Sequence, residues 1–163
     1  MTLIKRSAKF ALFPHMLSRK SSSLSARRRI LLVDDNANGL AARKSVLEEL
    51  GYSIVTCTSG ADALEQFTAR EPFDLVVTDY KMPRMDGLEL IGRLRKHTPS
   101  LPIVLISGYV DTLGLNEAST GADVVIQKSA NEVSHLIRSV NRLLRRKSVK
   151  SQSAPLKTKR HTA

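Results

Sequence analysis

Five short apolar runs, at 30–33, 53–57, 75–78, 103–106 and 124–126, alternate along the chain with longer stretches of mixed character. Each run is brief enough for a strand, and most of its residues are β-branched or aliphatic. Four of the five meet no polar residue until their C-terminal end, as strands covered on both faces do. Between the runs, Leu40, Val46, Leu47 and Leu50 fall near helical spacing ahead of Gly51, a natural helix stop. Leu88, Ile91 and Leu94 form a second stripe, and Val133, Leu136, Ile137, Val140, Leu143 and Leu144 a third. Ser129 and Glu132, just ahead of that last stripe, have the spacing of a capping box. The segment 111–120 has few apolar positions and contains Gly114, so its helical signal is the weakest. This alternation predicts an α/β fold, a parallel sheet with helices on both faces.

Charge divides the chain into three parts. All fifteen acidic residues lie between Asp34 and Glu132. Residues 1–29 carry eight Lys and Arg with no acid, and residues 142–163 carry eight more with none. The stretch between holds ten bases against fifteen acids, so it is acidic at −5 although the whole chain is +11. The expected organisation is a basic, disordered N-terminal tail over 1–28, one domain over 29–147, and a basic, disordered C-terminal tail over 148–163. A domain of that size buries a core without metal or disulfide help. With Cys57 as the single cysteine, no intrachain disulfide is possible, and a reducing, cytoplasmic setting is expected. No stretch approaches the ~18 apolar residues of a membrane span. The histidines at 15, 97, 135 and 161 are scattered rather than set at ligand spacing, which argues against zinc.

The chemistry lies where the apolar runs end, at Asp34 and Asp35, Asp79, Ser107, and Lys128. Singly, an acidic pair after a strand reads as a helix cap, a lone Ser as a turn residue and a lone Lys as a solvated side chain. Jointly they read differently, because strand C-termini in an open parallel sheet share one edge and ligands bind there. Two carboxylates ~4 Å apart repel by about 4 kcal/mol at an effective dielectric near 20, so three in one pocket call for a cation. All-oxygen ligation favours Mg²⁺. Three carboxylates at −3 then balance Mg²⁺ at +2 and Lys128 at +1. Metal and lysine together would neutralise charge developing on a phosphoryl group in transfer to a carboxylate, with the Ser107 hydroxyl bonding to the same group. Gly108 would leave room for its approach.

These residues resemble the receiver domains of two-component phosphorelays over about residues 29–146. The run 31–35, Leu-Leu-Val-Asp-Asp, looks like that family's first strand and acidic pair. The run 78–87, Thr-Asp-Tyr-Lys-Met-Pro-Arg-Met-Asp-Gly, looks like its phospho-acceptor segment, and Ser107-Gly108 and Lys128 look like its hydroxyl and lysine positions. The resemblance implies a flavodoxin-like five-stranded parallel sheet in the order 2-1-3-4-5. It implies Asp79 as the phospho-acceptor and Mg²⁺ held by Asp34, Asp35, Asp79 and the Lys81 carbonyl. A histidine kinase or phosphotransfer protein would be the donor and another protein the receiver of the signal, with no enzymatic turnover beyond self-phosphorylation and autodephosphorylation. Asp86-Gly87 would shape the turn into the third helix. Two positions depart from the family. Ser129 follows the lysine where Pro in a cis peptide is usual, and Val125 stands where an aromatic switch residue is usual. Tyr109 and Lys81 occupy positions at which such domains tune water access.

Two other functions compete. A phosphatase of the haloacid-dehalogenase type also forms an aspartyl phosphate at a strand end, but it needs a second Asp two places on, where this chain has Lys81. The basic flanks would contact nucleic acid weakly and without sequence preference, yet they contain no helix-turn-helix pattern. A single-domain regulator is therefore the expected function.

Overall fold

The computed structural model describes residues 27–69 and 71–152, with side chains as far as residue 146. The remainder of both basic flanks lies outside the described residues. Five strands form one parallel sheet: β1 (Arg29–Val33), β2 (Ser53–Cys57), β3 (Leu75–Asp79), β4 (Ile103–Ser107) and β5 (Val124–Gln127). Their spatial order is β2-β1-β3-β4-β5, the flavodoxin-like order expected from the sequence. The inner strands β3 and β4 are buried throughout, whereas the edge strand β2 is half-buried over its first three residues. Three strands run one residue past the C-terminal end of their apolar runs: Asp79, Ser107 and Gln127 are the last residues of their strands, not the first of the loops.

Among the described residues, six helices connect or cover the strands: α1 (Ala37–Glu49), α2 (Gly60–Thr68), α3 (Gly87–His97), α4 (Val110–Leu113), α5 (Glu117–Thr120) and α6 (Glu132–Gln152). The period-2 alternation of the strands sends side chains to two separate cores. Ile30, Leu32, Leu75, Val77, Val104 and Ile106 meet Leu40 and Leu47 of α1 and Leu136, Val140, Leu143 and Leu144 of α6. On the opposite face Leu31, Val33, Val76, Ile103 and Leu105 meet Ala63 of α2 and Leu90, Ile91 and Leu94 of α3. Each large side chain, fully buried, stabilises the fold by about 1.5–3 kcal/mol, and a one-residue slip would push every strand side chain into the opposite core, misfitting both.

Three expectations need correction. The segment 111–120 is not one helix but two single turns, α4 and α5, because Gly114 adopts the left-handed conformation (φ 59°) and ends the first. Helix α6 continues to Gln152, past the boundary expected at 147, since its Lys, Arg, Ser and Gln residues contain no helix breaker. The capping box does not form as expected: Ser129 Oγ accepts the Asn131 N–H at 3.3 Å, while the Glu132 carboxylate turns inward to Arg43.

Candidate functional site

The sheet order reverses between β1 and β3, whose C-terminal ends therefore open a crevice that no crossover helix covers. Asp34 and Asp35 leave β1 there, and Asp79 ends β3 beside them. One carboxylate oxygen from each of the three lies within 4.8 Å of the others. Asp34, Asp35, Asn36, Asp79, Lys81, Gly108, Tyr109 and Lys128 line an open cavity of about 580 Å³. Residues from four different strand ends thus meet at one edge, as their spacing in the sequence predicts.

Local structure fixes each group. Asn36 caps α1 by accepting the Gly39 N–H at 2.9 Å, which turns the chain immediately after the acidic pair. Asp34, 1% exposed, accepts the Asn36 N–H on Oδ1 at 2.8 Å and the Arg43 guanidinium on Oδ2. Asp35 is exposed and faces the cavity. Asp79 Oδ2 accepts the Lys81 N–H at 3.1 Å. Its Oδ1 lies 2.5 Å from Lys128 Nζ as an ion pair, and no other donor reaches that buried oxygen among the described residues. Burial raises the Asp79 carboxyl above its ordinary pKa; Lys128 pulls it down, Asp34 pushes it up, and the Lys81 N–H pulls it down without restoring the usual value. A buried carboxylate oxygen paired with one cation keeps lone-pair capacity for a metal ion or an electrophile.

Ser107 lies beneath the cavity, 1% exposed, and its Oγ accepts the Tyr109 N–H at 3.0 Å, which leaves the hydroxyl proton to donate elsewhere. The Lys128 N–H donates to the Ser107 carbonyl at 2.9 Å, tying the β5 loop to the end of β4. The Lys128–Ser129 bond is trans, as are all peptide bonds among the described residues. Gly108 is not demanded by crowding, since a Cβ there would meet no atom within 4 Å. Tyr109 is 40% exposed at the rim, with its hydroxyl accepting from Lys81 Nζ at 3.3 Å and its ring edge-on to Tyr80. Val125 is half-buried against the α2–α3 core.

Asn36, which lines the cavity and donates to Asp34, and Arg43, which binds Asp34 from behind, escaped the sequence reading. Arg43 sits on the buried stripe of α1 between Leu40 and Leu47, and a charged side chain at i+3 from one core leucine and i−4 from the next was the available signal.

The carboxylate cluster and the free Asp79 oxygen fit a hard divalent cation with oxygen ligands. Comparison with known proteins places this geometry. Residues 30–141 match the family described as the response regulator receiver domain. The chain is 30% identical over 117 residues to the response regulator receiver protein CpdR of Brucella abortus, covering 72% of this chain and 97% of that one. It is also 30% identical over 136 residues to the alkaline phosphatase synthesis transcriptional regulatory protein PhoP of Bacillus subtilis, covering 80% of this chain but spanning only about half, 54%, of PhoP. The solved structure of TrrA from Thermotoga maritima, in complex with Mg(2+)-BeF, superposes with a TM-score of 0.63 at 36% identity over 71% of this chain and 98% of that one. The strand order, the acid-lined crevice at its reversal and the family match agree, and the chain belongs to the response regulator receiver domains of two-component systems.

Proposed function

We propose that this receiver domain accepts a phosphoryl group on Asp79 in a Mg²⁺-dependent reaction and passes the signal on by a change of shape. The observation that carries the reading is the buried Asp79 Oδ1, with Lys128 beside it and, among the described residues, no other hydrogen-bond donor on it. That oxygen attacks the incoming phosphorus, and the donor's leaving group departs on the opposite side. Lys128 Nζ balances charge on the transferred oxygens, and the Ser107 hydroxyl donates to one of them. Asp34, Asp35, Asp79 and the Lys81 carbonyl would hold Mg²⁺, which supplies further charge neutralisation when bound. The Lys81 N–H on Oδ2 keeps the carboxylate oriented throughout.

The donor would be a phosphohistidine on a kinase or phosphotransfer protein, and the output a protein contact. The basic flanks, at 1–28 and beyond the end of α6, would add weak nucleic-acid affinity that falls steeply with salt. Incubation with acetyl phosphate and Mg²⁺, followed by intact-mass measurement, tests the central step. The wild-type chain gains the mass of one phosphoryl group, and Asp79→Asn or wild type in EDTA gains none; equal gain in all three overturns the reading.

A further inference from the structure

Arg43 is 6% exposed, and its guanidinium binds two carboxylates through two of its nitrogens. Its Nη1 donates to Asp34 Oδ2, and its Nε donates at 2.6 Å to Oε1 of Glu132, the first residue of α6. Taking a guanidinium out of water costs several kcal/mol unless it is paired. Burial works to lower the Arg43 pKa, but hydrogen bonds to Glu132 and Asp34, and their charges, hold it raised. A permanent positive charge thus rests on a carboxylate of the acidic pocket. Asp34 Oδ1 also accepts from Asn36, so a cation at Asp34 shares the charge and the remaining lone pairs of a carboxylate already bound by the guanidinium. Little water screens the contact, since the side chains of Asp34, Arg43 and Glu132 are 2, 8 and 14% exposed.

We propose that Arg43 is a built-in competitor for the metal at Asp34, and that Glu132 sets its strength, coupling metal occupancy to the N-terminus of α6. The inference rests on the reading that the three carboxylates hold Mg²⁺. When the metal draws Asp34, the guanidinium leans on Glu132. Conversely, a partner that pulls Glu132 outward returns Arg43 to Asp34 and weakens the metal, because such coupling is reciprocal. Arg43 acts here as a positioning residue, and the route it provides runs through α6 rather than through Val125.

Mg²⁺ titration of the full chain by calorimetry, with circular dichroism to verify folding, tests this on Arg43→Leu and Glu132→Gln. Removing the competing charge tightens Mg²⁺ binding by about tenfold, and removing the charge that restrains it weakens binding by a few-fold. A purely structural tie between α1 and α6 would instead move both variants in the same direction, or neither. Opposite shifts, with Mg²⁺-induced amide shifts at residues 131–133 of the wild type, support the inference; shifts of one sign, or none, overturn it. Should Arg43→Leu fail to fold, Glu132→Gln decides alone: weaker binding supports the coupling, unchanged or tighter binding refutes it. A wild-type chain that binds no Mg²⁺ overturns the underlying site reading instead.

Discussion

The first residue of α3 is pressed against Asp79: a Cβ added to Gly87 would stand 2.3 Å from the backbone carbonyl oxygen of Asp79. The Gly87 N–H also donates to the Tyr80 carbonyl at 2.8 Å, and Asp86 caps the helix by accepting the Glu89 N–H at 2.9 Å. The loop from Asp79 to α3 is therefore closed by close backbone approach, and the small residue is what permits it.

Gly87→Ala should cost about 1–3 kcal/mol and slow phosphorylation, because the backbone carrying Asp79 must shift. Gly92, five residues along the same helix, meets nothing within 4 Å of an added Cβ, so Gly92→Ala should stabilise by about 0.5–1 kcal/mol. Denaturant midpoints of the two variants check the contrast; two changes of the same sign would contradict it.

Ionisation of Asp79 should weaken the metal-free fold. A carboxyl whose pKa is higher in the folded than in the unfolded chain binds its proton more tightly when folded. Stability therefore falls as pH rises from the ordinary value, about 3.9, through the raised one, and the full penalty stands above it. Asp79→Asn lacks that penalty and should be more stable than wild type at neutral pH in EDTA, with the gap closing toward about pH 4. Adding Mg²⁺ should narrow the gap by stabilising the wild type through binding. Denaturation at two pH values, with and without Mg²⁺, measures both effects.

The conformational readout should centre on Tyr109. Its ring is 40% exposed at the rim and contacts Lys81 and Tyr80, whereas Val125 has only a small, half-buried side chain to reposition. Amide shifts on adding beryllofluoride and Mg²⁺ should be larger around residues 107–113 than around Val125. Large changes at Val125 that persist in Tyr109→Ala would contradict this.

The sheet and the convergent site were legible because both follow from periodicity. Brief apolar runs such as 103–106, alternating with helical stretches, fit strands of a parallel sheet, and the polar residue ending each then lies on the shared edge. What was not legible depended on contacts across the fold. Glu132 has the spacing of a cap relative to Ser129, yet its carboxylate lies beside the buried Arg43 of α1, 89 positions away in sequence, and the charge pair prevails over the local one. Arg43 itself looks like a solvated helix residue until α6 is folded over it. The split of 111–120 into α4 and α5 turned on the left-handed φ of Gly114, a conformation that composition permits but does not dictate.

Where the phosphoryl group goes is the most direct test. The full chain, phosphorylated by acetyl phosphate with Mg²⁺, is reduced with borohydride, which converts an aspartyl phosphate to homoserine, and its peptides are sequenced by mass spectrometry. The predicted result is a single converted residue, Asp79, with none in EDTA. Conversion at Asp34 or Asp35, or labelling of Asp79→Asn to the wild-type extent, would contradict the account.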